Sequence, residues 1–197
     1  MQVEQFVMAY RIEQDRMRAM LPDGFESLRP VLRINTEIRS DGDGREVYIE
    51  FNTPVAHADK KGWFNIDNWS DRNIQIGCEK KGMTTVISTD FFKLSYTAAG
   101  ITGGCPAEKD NDGCFFLKDR EEFKPAEKIT ENKEFCDCEF SWHFKDGDAS
   151  GKSERITLPA FLEEETKHYE KQELTAENAA AIPCQQVLGT YIVRFER

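Results

Sequence analysis

The chain has 197 residues, 39% hydrophobic and 31% charged, a balance that suits one globular domain, residues 1–197, with its own core. A formal net charge of −10 repels phosphate backbones, so nucleic acid is not expected as a partner. No apolar run of about 18 residues and no secretory signal is present, so no membrane association is expected.

Taken in chain order, the first expected element is a strand near residues 3–10. EQDRMRAML then places Met17, Met20 and Leu21 at helical spacing, and Pro22 stops the helix. Next, Leu32, Ile34, Thr36 and Ile38 alternate with Arg33, Asn35 and Glu37. After the turn-rich SDGDG, Val47, Ile49 and Phe51 alternate with Tyr48 and Glu50, which predicts a hairpin. Strands are also expected at 84–97 and 114–118. In EFCDCEFSWHFK, Cys136, Cys138, Phe140, Trp142 and Phe144 share one face. Pro159 is expected to open a helix that runs to about residue 173, and TAENAAA a short one that Pro183 ends. The chain closes on a strand with Val187, Gly189, Tyr191, Val193 and Phe195 on one face. Many strands, two or three short peripheral helices and frequent turns predict a mainly β (α+β) fold, an antiparallel sheet closed into a barrel or sandwich.

The stretch GITGGCPAEKDNDGC, residues 100–114, admits several readings. It lacks the Gly-Lys-Ser/Thr ending of a phosphate loop. An EF-hand reading would use Glu108, Asp110, Asp112 and Asp119 around Gly113, but no helix precedes it. Cys105 and Cys114 could clip it as a disulfide, although their spacing matches no zinc motif. What remains is an acidic turn between two strands, a pocket mouth, or a docking loop for a partner or cation. The six cysteines are scattered through a chain that needs no staples, which suggests free thiols in a reducing cytoplasm.

The three histidines, His57, His143 and His168, read as surface residues and supply neither a catalytic triad nor a metal centre. Cys136 and Cys138 lack a second ligand pair and read as core. Two lysine pairs stand out, Lys60-Lys61 and Lys80-Lys81. The second is flanked by IQIGC and MTTVI. A lysine turned into an apolar interior loses its charge more easily and becomes a nucleophile, and a second ammonium beside it adds to the effect. On a regular strand, however, adjacent side chains leave from opposite faces.

FVMAYRIEQDRMRAMLPDGFESLRPVLRI, continuing to GREVYIEF, resembles the N-terminal half of the acetoacetate decarboxylase superfamily. The matching features are a strand ending in Tyr10 and Arg11, a short helix into Leu21 and Pro22, Arg33 after Val31 and Leu32, and Tyr48 two residues before Glu50. Residues 6 to 50 follow the pattern without a gap, and Glu79-Lys80-Lys81-Gly82 falls near the family's Pro-Lys-Lys segment. The resemblance implies a β-barrel or cone with an internal apolar cavity. There Lys80 would form a Schiff base with a small keto acid, Lys81 would tune it, and Glu50 would exchange a proton. Arg33, Asn35 and Tyr48 would contact the substrate. It also implies that no cofactor or metal takes part and that several copies assemble. The pattern departs where the family's arginine falls on Val3 and a cavity acid on Asn35, and the Gly-Arg-Glu segment before the lysines has no counterpart. Three functions are therefore expected from this chain: a lysine-dependent lyase, a non-catalytic binding module for a small carbonyl or carboxylic acid, and an acidic-loop interaction or cation-binding protein.

Overall fold

In the computed structural model, residues 1–106, 114–117, 120–125, 127–153 and 166–197 are described. The chain runs β1 (Gln2–Arg11), α1 (Gln14–Arg18), β2 (Phe25–Ser27), β3 (Val31–Asp41), β4 (Gly44–His57), β5 (Lys60–Ser70), β6 (Gly77–Lys81), β7 (Thr84–Ser88), β8 (Phe92–Pro106), β9 (Cys114–Leu117), β10 (Arg120–Pro125), β11 (Asn132–Trp142), β12 (Ser150–Ser153), α2 (Ala176–Ala180) and β13 (Gln186–Glu196). All strands join one sheet in the order β10-β9-β5-β4-β3-β1-β13-β11-β8-β7-β6, with β2 on β4 and β12 on β11. Among the described residues the pairing is antiparallel apart from β5 with β9. Gly62 permits that parallel pair, because a Cβ there would lie 2.0 Å from the Cys114 carbonyl oxygen.

Alternation decides which side chains enter the core. Phe6, Met8 and Tyr10 of β1 point to the same side as Ile34 of β3 and Phe51 of β4, and all are fully buried. Three strands separate β4 from β11 in the sheet, yet the rings of Phe51 and Trp142 stand 4.6 Å apart. Phe6 stacks on Tyr96 at 4.6 Å and Tyr10 on Phe140 at 4.8 Å. The sheet therefore curls over these rings into a half-barrel. Each ring contributes about 1.5–3 kcal/mol through burial, and stacking adds about 0.5–1.5 kcal/mol per pair.

The mainly β architecture is the one the alternation predicts, with differences in detail. The expected strand 84–97 is a hairpin, turned where the Thr89 amide donates to the Phe92 carbonyl at 2.8 Å. Lys60 and Lys61 open a strand, after a turn in which Ala58 has φ of 52°. Of the helix expected over 159–173, residues 159–165 lie outside the described residues. Residues 166–173 are not helical, because their amides bond elsewhere. Lys167 donates to the Asp15 carboxylate at 2.6 Å and Gln172 to the Ala19 carbonyl at 3.1 Å, tying an extended strap to α1. The expected short helix forms as α2, and the Thr175 hydroxyl caps it by accepting from the Asn178 amide at 3.0 Å. The acidic stretch 107–113 lies outside the described residues, between the end of β8 and the start of β9. Cys114 is a free thiol, as are Cys78, Cys136, Cys138 and Cys184. No helix among the described residues is long and apolar enough to cross a membrane.

Candidate functional site

The face of β3 and β4 away from the aromatic interior is polar. Arg33, Asn35 and Glu37 alternate along β3, and the register sets Asn35 opposite Glu50, Glu37 opposite Tyr48 and Arg33 opposite Asn52. Gln5 and Val7 of β1 flank this ladder on one side. Phe115 of β9, Glu127, Ile129 and Arg197 close over it, enclosing a cavity of about 350 Å³.

Its charges are distributed unevenly. Glu37 accepts from Arg39 Nε at 2.7 Å, from Arg197 at 3.1 Å and from Gln5 at 3.4 Å. Glu127 pairs with the same Arg197. Glu50 differs: Asn35 Nδ2 donates to it at 3.1 Å and the Tyr48 hydroxyl at 3.0 Å. Both donors are neutral, and no cation of the described residues pairs with Glu50. Burial and the neighbouring Glu50 charge push the Tyr48 phenol far above its ordinary range, so it stays protonated and donates. Asn35 is 5% exposed, and its Oδ1 has no hydrogen-bond partner. The Arg33 guanidinium carbon sits over Trp63, 3.8 Å from the ring centroid, and the group donates to Asn52 Oδ1 at 3.2 Å. The ring and the amide fix the plane of the guanidinium.

The comparison with solved structures decides the fold. The crystal structure of acetoacetate decarboxylase from Legionella pneumophila matches at a TM-score of 0.58 over 98% of this chain and 81% of that one, with 15% identity. This is the acetoacetate decarboxylase fold. An acetoacetate decarboxylase-like enzyme from Sphingomonas wittichii matches at 0.53, over 98% of this chain and 87% of its own, with 10% identity. The enduracididine biosynthesis enzyme MppR, complexed with pyruvate, matches at 0.51 over 98% and 84%, with 11% identity. No protein-family model matches the sequence, and no curated protein matches it.

Within the acetoacetate decarboxylase fold, four of the six predicted site residues meet: Arg33, Asn35, Tyr48 and Glu50 line the one cavity. The two lysines do not join them. Lys80 and Lys81 lie on β6, the last strand at one end of the sheet, and both are exposed. The Lys80 side chain keeps 55% of its accessible surface, and its Nζ donates to Glu4 at 3.0 Å. The apolar surroundings expected for it are absent, because an edge strand has a neighbour on one side only. Glu4 also accepts from Arg194 Nε at 2.7 Å and from the Tyr96 hydroxyl at 3.2 Å. Burial pushes the Glu4 carboxyl up, but the bonds from Lys80 and Arg194 outweigh it and hold the group below the usual carboxylate range. Glu4, Lys80, Arg194, Arg45 and Cys78 line a second cavity of about 340 Å³.

Sequence reasoning overlooked Gln5, Arg39, Glu127, Ile129 and Arg197. The alternation that turns Arg33 and Asn35 to the polar face continues through Glu37 to Arg39, so Arg39 was readable. Glu127 and Arg197 carry no such signal, since only the strand order β3-β1-β13-β11 brings them beside β3. Among the described residues, no group of three histidine, cysteine or acidic side chains is placed to hold a metal ion.

Proposed function

We propose that the chain binds a small carboxylic acid or carbonyl compound in the cavity over the polar face of β3 and β4. Arg33 faces the ligand's acid group, and Glu50, oriented by Tyr48 and Asn35, exchanges a hydrogen bond or proton with it. The observation that carries this reading is the convergence of Arg33, Asn35, Tyr48 and Glu50 on one cavity of about 350 Å³. A fold neighbour crystallised with pyruvate supports the ligand class. No lysine belongs to the described lining of this cavity, which favours binding, or acid–base chemistry, over imine formation there. Calorimetry and thermal melting with acetate, pyruvate, acetoacetate and butyrate test it. Binding by at least one acid, weakened in Arg33→Met, is expected. No binding by any of them at millimolar concentration overturns it.

A second reading keeps Lys80 as a Schiff-base nucleophile on a keto acid, with Lys81 tuning it. Its supporting observation is that Lys80 lines a cavity of its own beside Arg45 and Arg194, two groups suited to a carboxylate. Incubation with keto acids and borohydride, followed by intact mass measurement, separates the two readings. A reduced imine that Lys80→Ala abolishes moves the function to the second cavity.

A further inference from the structure

We propose that the ligand of the Glu50 cavity carries a protonated amine as well as its acid group, and is a small amino acid rather than a keto acid. The inference rests on the acid-binding reading above and narrows it. Three acids line the cavity, and two are already matched: Glu37 by Arg39 and Arg197, Glu127 by Arg197. Glu50 receives hydrogen bonds from two neutral donors and no positive charge. A half-buried carboxylate is held more cheaply when a cation reaches it.

The second observation is independent of charge. Asn35 directly opposes Glu50 across the β3–β4 ladder, and its amide gives its donor to Glu50. That bond fixes the amide the other way round for Oδ1, an acceptor with no partner in a residue 95% buried (5% exposed). Buried acceptors in proteins are otherwise nearly always satisfied. One ammonium has three N–H donors, enough for the Glu50 carboxylate and, once the Asn35 amide turns to uncover it, for Asn35 Oδ1. A keto or hydroxyl oxygen offers one donor at most, and no charge.

The remaining lining suits the rest of such a molecule. Arg33 stands two residues from Asn35 on the same face of β3, about 7 Å along the strand. Val7, Phe115 and Ile129 supply apolar wall for a short alkyl body. A zwitterion has no net charge, so the chain's −10 does not repel it as it repels a plain carboxylate.

Titration calorimetry on the full chain, with matched pairs, tests this. The pairs are γ-aminobutyrate against butyrate and alanine against propionate and pyruvate. At least one amino member is expected to bind about tenfold more tightly than its plain acid, the size of one charge-assisted contact. In Glu50→Gln the affinity for the amino member falls to that for the plain acid. Acids that bind equally with and without the amine overturn the inference and leave the acid-binding reading standing. No binding by either class overturns both. The wild-type pairs decide the matter alone, so the outcome does not hang on the folding of the variant, which its unliganded melting temperature reports.

Discussion

Glu4 and Glu50 lie on strands either side of β3, each at a cavity of about 350 or 340 Å³, and the chain treats them in opposite ways. Glu4 is matched by Lys80 and Arg194 from strands distant in sequence, so its charge is consumed in holding β1, β6 and β13 together. Glu50 is steadied by Tyr48 and Asn35 without being neutralised. A countercharge supplied from within the chain marks a structural carboxylate. Orientation without countercharge marks one kept for something that arrives from outside.

The contrast can be broken in several ways. The largest expected effect is that of Gly62→Ala, whose Cβ would collide with the Cys114 carbonyl and force β9 away from β5. Loss of about 3 kcal/mol in urea unfolding is expected, together with loss of ligand binding where Phe115 walls the Glu50 cavity. Glu4→Gln comes next, at about 1 kcal/mol, because Lys80 and Arg194 lose their shared partner but stay half exposed to water, and Arg194 keeps Glu134. The sign with pH follows from the depressed folded pKa of Glu4. Its contribution is complete above the ordinary glutamate value of 4.5 and is lost as pH falls through the lower folded one. Stability of the wild type should therefore fall between neutral and acid pH more steeply than that of Glu4→Gln, as measured by denaturant titrations at several pH values. Glu50→Gln should change unliganded stability by no more than about 0.5 kcal/mol. A cost equal to that of Glu4→Gln would erase the distinction drawn here. The smallest effect concerns thiols. Burial pushes Cys136 up to about 12 and Cys138 to about 11, so both should resist iodoacetamide at neutral pH until the chain unfolds. Cys78, half-buried at the Glu4 cavity and also raised by burial, should react at an intermediate rate. Filling the Glu50 cavity should leave that rate unchanged.

Most of the sheet was legible because alternation is a local signal. Leu32 to Ile38 and Val47 to Phe51 announce their strands and the side each residue takes, and Glu50 and Asn35 come together through that pairing alone. The resemblance to acetoacetate decarboxylase added the overall architecture, which alternation leaves open between barrel and sandwich. What stayed hidden depends on distant partners. Nothing in EEETKHYEKQE announces that Lys167 and Gln172 will bond to Asp15 and Ala19 instead of to their own helix. Nor does IQIGCEKKGMTTVI reveal its exposure, because apolar flanks fit an edge strand as well as a central one, and only the strand order tells them apart. The covering of the cavity by Glu127 and Arg197 is likewise a property of the strand order, which sets β13 and the approach to β11 beside β1 and β3.

The curl over the aromatic interior has an optical consequence. Of the three tryptophans, Trp69 and Trp142 lie with ring centroids 6.1 Å apart, close enough for their excited states to mix and give a couplet in far-ultraviolet circular dichroism. Trp63 is set apart beneath the Arg33 guanidinium. The chain thus carries two spectroscopic channels, one that reads whether the sheet has curled and another that reads what Arg33 is holding.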